Sequence, residues 1–301
     1  MSFEIDQALV NSYHSNIQIK FQQKGSRLRP FVRVEPQNSE FDFFDRIGPT
    51  AAVKVKNRHS DTPLISTPHD RRRNATEDYD WADLIDRRDK LRMLADPTSA
   101  YNTNAIYALG RSMDIEIVRA AFGNAYSGKT GSTTIPFPSS QVIDATYVDT
   151  GSPAGNTNLT IDKLRRIRLM FDLEEAVDWD AAEELYMACT AWQINSLLRE
   201  EEVTNVDYAA IKALVNGKID TFMGIKFIRV HPSIIPKSGN IRKCPVWTRQ
   251  GILLGVADDV MTDVGPRRDK RNSVQVYVCG SFGATRMWEE QVVQVECDET
   301  K

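Results

Sequence analysis

Apolar residues recur at helical spacing in several separate stretches of the chain. Near its start an apolar residue stands at every fourth position, which predicts an amphipathic helix over residues 4–22. The apolar residues of this helix are Ile5, Leu9, Tyr13, Ile17 and Phe21. The sequence QQKGSRLRP follows, and its basic residues, glycine and proline predict an extended arm. Such a terminal helix has little core of its own, so we expect it to pack on another surface. In an assembly, that surface could belong to a neighbouring subunit.

Two further helices are predicted before the middle of the chain. Asn102 or Thr103 begins the longer one, whose apolar residues are spaced by three and four positions as far as Phe122. It is expected to be about 30 Å long at 1.5 Å per residue. Gly123 and Asn124 suit its end, where a left-handed residue is common. A shorter helix is predicted to start at Asp80 and to end at Asp96-Pro97, since it carries Trp81, Leu84, Ile85 and Leu91.

The remaining pattern mixes helices with strands and lacks a regular βα rhythm. Residues 124–158 are rich in Gly, Ser, Thr, Pro and Asn and are predicted to be mostly loop, with a short strand at 141–148. Helices are predicted at 160–173, 191–199 and 207–215, and strands at 186–190, 218–222, 224–230, 246–256, 273–280, 284–288 and 291–295. This order predicts an α+β fold rather than a doubly wound parallel sheet.

A polar stretch at residues 48–78 permits two interpretations. Ala52–Lys56 approaches the alternation of a strand, whereas the return limb holds Pro63, Pro68 and three consecutive arginines at 71–73. A two-stranded hairpin with so few apolar residues is only marginally stable in isolation. The stretch is therefore either a solvated surface loop or a long hairpin that is stabilised when it lies across another chain.

Composition excludes several classes of protein. The chain has 301 residues, 41% hydrophobic and 26% charged, which suits a globular protein of one elaborated domain or two smaller ones. Its formal net charge of −3 predicts neither a nucleic-acid nor a membrane partner. No signal peptide or membrane-spanning run is present in the sequence. Four widely separated cysteines predict reduced thiols in a cytosolic compartment, so the sequons at Asn74 and Asn158 are interpreted as chance matches.

Gly123–Thr130 reads G-N-A-Y-S-G-K-T and matches the phosphate-binding pattern G-x-x-x-x-G-K-[ST] letter for letter. A phosphate loop requires a buried strand before the glycines and a helix after them. Here a long helix precedes the motif, and Pro136 and Pro138 prevent a helix from following it. We therefore interpret the match as a helix end joined to a loop. A phosphate-loop NTPase acting through Gly123, Gly128, Lys129 and Thr130 remains the alternative.

No other motif predicts chemistry. The four histidines lack metal-ligand spacing, and the paired acids are adjacent in sequence, so they do not face each other across a cleft. Neither a G-x-S-x-G elbow nor an H-E-x-x-H helix is present. Aromatic and basic residues do not interleave as in a platform for single-stranded nucleic acid. The sequence therefore predicts no catalytic residue, no metal site and no cofactor, and it favours a protein that is not an enzyme.

Three stretches carry a resemblance to a known family, and they span most of the chain in the expected order. These are RRRNATEDYDWADLIDRRDKLRMLADPTSAYNTNAIYALGRSMDIEIVRAAFG, VDYAAIKALVNGKIDTFMGIKFIRV and SVQVYVCGSFGATRMWEEQVVQVE. The first resembles the passage from the extended loop into the spine helix of tailed-bacteriophage major capsid proteins of the Hong Kong 97 fold. The second is similar to the helix, turn and strand pair of their axial domain. The third is similar to the closing strands of their peripheral domain.

The resemblance implies a role for each segment. Residues 1–46 would form an N-terminal arm, 47–79 the extended loop hairpin, 80–140 the peripheral domain with the spine helix 103–122, 141–245 the axial domain, and 246–301 the closing strands of the peripheral domain. It also implies a structural subunit that assembles as hexamers and pentamers into an icosahedral shell around double-stranded DNA. An encapsulin-type bacterial compartment shell is the alternative within the same fold.

The resemblance implies partners and a location as well. The partners would be further copies of the chain, a portal, a decoration protein, and packaged DNA contacted without sequence preference. Because the sequence begins directly with the arm, scaffolding is expected to be a separate protein. The location would be the virion capsid, assembled in the cytoplasm of the host bacterium. Lys54 and Lys56 lie on the predicted hairpin, but no partner for a covalent cross-link can be matched, so none is predicted.

Overall fold

The computed structural model describes residues 22–54, 61–62, 64–86, 98–149, 155–177, 184–199 and 221–300. Helices and strands are mixed along these residues, in agreement with the α+β prediction. The chain divides into two compact units. Among the described residues, the first unit contains 22–26, 78–86, 98–112 and 258–281, and the second contains those within Arg27–Glu77, Met113–Ala257 and Phe282–Lys301.

The described helices are α1 (Thr98–Phe122), α2 (Ile161–Leu173) and α3 (Ala191–Leu197). The strands are β1 (Arg33–Pro36), β2 (Phe41–Ile47), β3 (His69–Ala75), β4 (Glu77–Ile85), β5 (Ala125–Ser127), β6 (Thr133–Ile135), β7 (Val142–Ile143), β8 (Leu185–Cys189), β9 (Thr221–Phe222), β10 (Ile225–Arg229), β11 (Lys237–Ser238), β12 (Ile241–Thr248), β13 (Ile252–Arg267), β14 (Ser273–Arg286) and β15 (Val292–Asp298).

These strands form three sheets. The first has the order β1-β13-β14-β4, and the second has the order β2-β3-β5-β6. The third has the order β7-β15-β12-β8-β10-β9, with β11 paired to β12. Parallel pairs (β10 with β8, β15 with β7) and antiparallel pairs (β12 with β15 and with β8) occur together in the third sheet, which is typical of an α+β fold rather than a doubly wound one.

Helix α1 forms where the apolar spacing predicts it, and it begins a few residues earlier than expected. Five of its buried apolar side chains recur every four residues, which keeps them on one side of the helix. They are Ala105, Leu109, Met113, Ile117 and Ala121. In the first unit, Ala105 and Leu109 pack on Val278 of β14, with the half-buried Trp81 and Val260 beside them.

The segment that precedes β1 lies against α1. In the first unit, a Cβ atom added to Gly110 would lie 2.5 Å from the backbone of Gly25, so only glycine permits this close approach. Gln22 Nε2 donates a hydrogen bond to Asn104 Oδ1 over 2.6 Å. In the second unit, the buried Asp114 carboxylate accepts the backbone N–H groups of the segment's next residues, Arg27 and Leu28, at 3.0–3.1 Å. The segment is therefore anchored to the helix in each unit.

The main core of the second unit lies between α2 and the third sheet. Leu164, Ile167 and Phe171 of α2 are fully buried in one cluster with Leu185 and Val295 of the sheet. Each such side chain contributes about 1.5–3 kcal/mol through burial. At the start of α3, Thr190 and Gln193 form a capping box, in which Gln193 Oε1 accepts the Thr190 N–H at 3.0 Å.

Lys163 is a charged residue within this apolar environment. Its side chain is fully buried, and Nζ donates to the carbonyl oxygens of Thr157 (2.9 Å), Asn158 (2.9 Å) and Glu296 (2.8 Å). Burial lowers the pKa of Lys163, because the charged form is poorly solvated there. The ammonium group thus joins the loop before α2 to strand β15.

One predicted element is wrong, and two are only partly correct. The helix predicted from Asp80 is strand β4 up to Ile85; residues 87–97 lie outside the described residues. Residues 124–158, predicted to be mostly loop, also include the short strands β5 and β6. The strand predicted at 141–148 is limited to Val142–Ile143. The predicted helices at 4–22 and 207–215 lie, apart from Gln22, outside the described residues.

The closing strands are longer than predicted. Strands β12 and β13 extend on both sides of the predicted 246–256 and are separated by a turn, and β14 joins the predicted 273–280 and 284–288 into one strand. Helices α2 and α3 and strands β8, β10 and β15 lie within a few residues of their predicted positions. None of the helices in the described residues is long and apolar enough to cross a membrane.

Candidate assembly surface

Residues 41–75 contain two antiparallel strands that we call the hairpin. Strand β2 pairs antiparallel with β3, from Phe41 opposite Ala75 to Ile47 opposite His69. The Gly48 N–H then donates to the Pro68 carbonyl oxygen over 3.0 Å, which extends the pairing by one step. The pairing therefore begins earlier than the sequence predicts, and residues 52–54, the described part of the stretch whose alternation approaches that of a strand, lie outside it.

The hairpin exposes an apolar surface. Side chains alternate along β2 between half-buried and exposed, and the exposed set includes Phe41, Phe43 and Ile47. Leu64, beyond the paired strands, is 97% exposed. We call Phe41, Phe43, Ile47, Val53, Leu64 and Ile65 the hairpin apolar surface. Large apolar side chains concentrated on one exposed element are typical of a surface that another protein covers.

A cluster of charged side chains fixes the base of this hairpin. We call Arg46, Asp70, Arg72, Arg286 and Glu289 the root cluster. Arg72 and Arg286 have fully buried side chains, and both form ion pairs with the Glu289 carboxylate. Arg46 joins the two acids, since it contacts Asp70 through Nε at 2.9 Å and Glu289 through Nη1 at 3.4 Å. Such buried charges are tolerated only where opposite charges and hydrogen bonds compensate them.

The pKa shifts within the root cluster reflect this environment. Burial lowers the pKa of Arg72 and of Arg286, and the negative charge of Glu289 opposes both shifts. For Asp70, burial alone would raise the pKa. Hydrogen bonds from Ser127 Oγ (2.5 Å) and from Arg46 outweigh burial and hold the pKa of Asp70 well below its usual range. Asp70 is therefore charged at neutral pH.

The root cluster also binds backbone groups of other elements. Arg286 Nη1 donates to the carbonyl oxygens of Ala121 (3.0 Å) and Gly123 (2.9 Å) at the C-terminal end of α1. Arg46 Nη1 donates to the Met287 carbonyl oxygen over 2.8 Å. A cation at a helix C-terminus is electrostatically favourable. These contacts connect the hairpin base to the end of the long helix.

Strand β3 contacts β14 so closely that a side chain cannot fit between them. A Cβ atom added to Gly283 would lie 1.8 Å from the Ala75 carbonyl oxygen. Beside it, the buried Asn74 donates from Nδ2 to the Gly283 carbonyl oxygen (3.2 Å) and to Gln37 Oε1 (2.8 Å). Asn74 is the first residue of one sequon, and its burial makes it inaccessible to a glycosyl group. Asn158 of the second sequon is buried as well.

The residues that match the phosphate-loop pattern form the end of a helix and a small hairpin. Gly123 follows α1, Ala125–Ser127 form β5, and Gly128 and Gly131, both with positive φ, shape the turn to β6. Strand β5 pairs with β3 through Ser127 opposite Arg72, and with β6 through Ser127 opposite Thr133. The stretch thus belongs to the hairpin's own sheet.

Gly123 is required for a different reason than the sequence predicts. Its φ is not positive, so it is not a left-handed helix cap. A Cβ atom there would lie 2.8 Å from the Arg119 carbonyl oxygen, which accepts the Gly123 N–H at 2.7 Å. The glycine is therefore explained by close approach to the last turn of α1.

The groove beside the motif is lined by side chains of both charges. It has a volume of about 320 Å³ and is lined by residues that include Arg73, Glu77, Glu116, Arg119 and Tyr126. The two carboxylates repel an anion. Arg119 pairs with both of them, at 3.8 Å to Glu77 and 3.2 Å to Glu116. Lys129 and Thr130 are exposed on the turn, and Thr130 Oγ1 lies 3.1 Å from Ser132 Oγ.

The other residues considered for chemistry do not converge. Within the described residues, no group of three or more His, Cys, Asp or Glu side chains could hold a metal ion. His69 lies on β3 and His231 bonds Ser233 Oγ at 2.7 Å, whereas His14 and His59 lie outside the described residues. All four cysteines are free, as the sequence predicts. Burial raises the pKa of Cys189 to about 12, which makes its thiol unreactive.

The second unit has a further apolar surface, on its helices. Leu169 and Leu173 are one helical turn apart on α2 and are exposed, and Trp192 at the start of α3 is 56% exposed. Sequence reasoning predicted these helices but gave no reason to expect exposed apolar residues on them. It also missed the root cluster, because Arg46, Asp70 and Glu289 are distant in sequence and carry no local pattern.

Comparison with known proteins identifies what the chain is similar to. The model of a family described as phage capsid protein matches residues 5–299. No curated protein sequence matches the chain.

Solved structures of similar fold cover nearly the whole chain. The capsid of Ralstonia phage GP4 superposes with a TM-score of 0.72 at 9% identity, over 96% of this chain and 95% of the other. The acid-stable capsid of Helicobacter pylori bacteriophage KHP30 gives 0.72 at 9% identity, over 99% and 98%. The capsid of the cyanophage P-SCSP1u gives 0.71 at 13% identity, over 96% and 93%. Identities this low indicate a shared fold only.

Proposed function

The chain belongs to the phage capsid protein family, and we propose that it assembles as hexamers and pentamers into an icosahedral shell that encloses the double-stranded DNA of a tailed phage. The predicted α+β fold of the Hong Kong 97 type is confirmed, and the chain is a major capsid protein with a structural role. The hexamers, the pentamers, the icosahedral symmetry and the enclosed DNA are the proposal.

The observation that carries this proposal is the hairpin apolar surface. Phe41, Phe43 and Ile47 lie on a strand whose base is fixed by buried ion pairs, so the exposed side chains are held in place. A soluble monomer gains nothing from presenting them to water. A second copy that covers them gains about 25 cal/mol for each Å² of apolar surface removed from water.

We infer the type of symmetry from the presence of two separate exposed apolar surfaces. The hairpin apolar surface and the exposed residues of α2 and α3 (Leu169, Leu173 and Trp192) lie on different elements of the chain, so a neighbouring copy can cover each of them with a different patch. Contacts between unlike patches are heterologous and close into rings when the rotation permits. We assign the hairpin apolar surface to contacts with a neighbouring subunit, and the helical residues to contacts nearer the centre of each ring.

The segment roles implied by the resemblance become part of the proposal. Residues 1–46 act as an N-terminal arm and 47–79 as the extended loop. Residues 80–140 with 246–301 form the peripheral domain, and 141–245 form the axial domain. The anchoring of residues 22–28 to α1 supports an arm that leaves the subunit from a fixed point.

We propose that the protein has no enzymatic activity and uses no cofactor. The pairing of β5 with β3 and β6, and the carboxylates of Glu77 and Glu116 in the adjacent groove, support the interpretation of Gly123–Thr130 as a chance match. A phosphate loop would need its backbone N–H groups in a turn that leads into a helix. Here the turn leads into β6.

The remaining proposals concern partners and place. Scaffolding is proposed to be a separate protein, and a portal and a decoration protein are proposed partners of the assembled shell. DNA is contacted without sequence preference, through phosphate groups. The shell assembles in the host bacterial cytoplasm and becomes the virion capsid. DNA recovered with purified shells supports a virion, whereas a cargo enzyme in its place would indicate a compartment shell.

Sedimentation velocity of the purified chain tests the proposal. A 34.1 kDa subunit that forms capsomers sediments as species of five or six copies, and shells sediment far faster. A chain that remains a 34.1 kDa monomer at all concentrations and salt conditions would overturn the proposal.

A further inference from the structure

Within the first unit, β4 and the parts of β13 and β14 that lie there form a sheet with two different faces. Val260, Val278 and Trp81 point toward α1, where they pack with Ala105 and Leu109. Because side chains alternate along a strand, the residues between them point to the opposite face. Two hydrogen bonds confirm this second face.

These hydrogen bonds join β14 to β4. Tyr277 Oη donates to Asp80 Oδ1 over 2.7 Å, and Ser281 Oγ donates to Asp78. The four residues therefore lie on the same side of the sheet, away from α1.

This second face is acidic. Asp78 and Asp80 of β4, with Asp259 and Asp263 of β13, are exposed on it. Exposed apolar residues accompany them, namely Leu84 of β4 and Met261, which is 56% exposed. Among the described positions that alternation assigns to this face, at 78–84, 259–263 and 275–281, none is lysine or arginine. We call Asp78, Asp80, Leu84, Asp259, Met261 and Asp263 the acidic face.

The connection between β13 and β14 has the opposite charge. Arg267, Arg268, Lys270 and Arg271 are exposed at the turn that joins these strands, and Asp269 lies among them. Arg267 Nη2 pairs with Asp269 Oδ2 at 2.6 Å, which neutralises one cation. Arg271 and Asn272 have positive φ and reverse the chain. We call Arg267–Arg271 the basic tip.

We propose that the basic tip of one copy of the chain binds the acidic face of a second copy. This inference rests on the proposed function, and it names a subunit contact that the hairpin apolar surface does not provide. Opposite charges on two different patches of one chain attract each other when two copies meet, and a heterologous contact places the basic tip of one copy on the acidic face of the next. Met261 and Leu84 supply apolar area beside the carboxylates, which the aliphatic parts of arginine and lysine side chains can cover.

A nucleic acid suits the basic tip and the strands β13 and β14 that lead to it less well than the acidic face does. Asp259 and Asp263 lie on the strand that leads directly to the tip, so a polyphosphate that extended along the hairpin would meet two carboxylates. The acidic face of a second copy presents only negative charges to the cations of the basic tip. Exposed charges of this kind act mainly on association and are screened by salt, so the contact weakens as the ionic strength rises.

Charge reversal with a matched control tests the proposal. The tip variant is Arg268→Glu/Lys270→Glu, which leaves the Arg267–Asp269 pair intact. The control is Lys129→Glu/Arg249→Glu, which reverses two exposed basic residues elsewhere and changes the net charge equally. The tip variant is expected to need at least about tenfold more protein than the control for the same degree of assembly, measured by sedimentation. Circular dichroism of both variants confirms that each remains folded.

A charge exchange separates a specific contact from a general effect. The face variant, Asp259→Lys/Asp263→Lys, should lose assembly like the tip variant, and the chain that carries both pairs of changes should recover it. The inference is overturned if the tip variant assembles at the same protein concentration as the control. It is overturned equally if such a variant assembles normally but loses bound DNA, since the basic tip would then contact nucleic acid. A wild-type chain that never associates contradicts the proposed function as well. If the wild type associates and the tip variant associates equally well, only the proposed contact of the basic tip is contradicted.

Discussion

Arg286 and Gly123 are joined by a hydrogen bond of 2.9 Å, from a fully buried guanidinium to a carbonyl oxygen at the end of the long helix. The glycine that begins the apparent phosphate loop is therefore part of the support for the hairpin base. Arg286 also shares Glu289 with Arg72 of β3. One carboxylate thus neutralises two buried cations, and this arrangement gives the first prediction.

Glu289→Gln should destabilise the subunit strongly. Arg72 and Arg286 would remain fully buried while losing their shared counter-charge, and removal of one partner from a buried ion pair typically costs about 3–5 kcal/mol. The free energy of unfolding in urea measures the effect. Glu290→Gln is the matched control, since Glu290 is the adjacent residue and is exposed, and it should change stability by less than about 0.5 kcal/mol. Equal values for both variants would contradict the structural role of the root cluster.

Gly283→Ala should also lower stability. The added Cβ atom would lie 1.8 Å from the Ala75 carbonyl oxygen, so β3 and β14 must separate, at a cost of roughly 1–3 kcal/mol or more. Gly265→Ala in β13 serves as the comparison, because nothing lies within 4 Å of its added Cβ atom. Thermal unfolding distinguishes the two variants. An unchanged melting temperature for Gly283→Ala would show that the hairpin base does not rest on β14.

The long helix could be predicted from the sequence because its signal is local and repeated. Leu109, Met113 and Ile117 are spaced for one helical face over many turns, and this face is the buried one. Strand β4 could not be predicted in the same way. Trp81, Leu84 and Ile85 fit helical spacing, but Trp81 packs on α1 as part of a strand, and Leu84 is exposed. Over so short a stretch, tertiary pairing decides between helix and strand.

A hairpin was one of two interpretations of residues 48–78, and the register of its strands was not predicted. Strand β3 reads HDRRRNA and has almost no apolar signal, so sequence patterning places the pairing too late. Contacts made by arginine side chains across the pair replace that signal: Arg71 Nε lies 2.7 Å from Asp45 Oδ1 in an ion pair, and the Arg73 guanidinium lies over the Phe41 ring. Contacts between residues as far apart as Arg72 and Glu289 depend on the assembled fold and leave no spacing in the sequence.

Lys129→Ala should leave nucleotide binding unchanged at background level. Lys129 is exposed on the turn between β5 and β6, and no helix follows that turn to support a phosphate group. Titration with a fluorescent ATP analogue and Mg²⁺ measures binding to the wild type and to the variant. Saturable binding by the wild type that the variant lacks would restore the NTPase interpretation.

Replacement of residues 49–67 by Asn-Gly should yield a folded subunit that forms no stable shells. The Gly48–Pro68 hydrogen bond closes the paired strands, and Asn-Gly suits a two-residue hairpin turn, so the root cluster is preserved. The variant loses Val53, Leu64 and Ile65 from the hairpin apolar surface. A larger deletion, of residues 55–75, would test the hairpin less cleanly than this replacement. It would remove the buried side chains of Arg72 and Asn74 and so disturb the subunit itself.

Two measurements on this variant distinguish the interpretations of residues 48–78. Its unfolding should stay cooperative, and its particles should be absent or fall apart under conditions in which the wild type is intact. Shells of wild-type stability would mean that residues 49–67 are only a surface loop.

Electron microscopy of negatively stained wild-type protein tests the central claim most directly. A major capsid protein that assembles through heterologous contacts should appear as closed hollow particles, or as rings whose averaged images have five-fold and six-fold symmetry. A homogeneous population of single subunits, at high protein concentration and across salt conditions, would contradict the account.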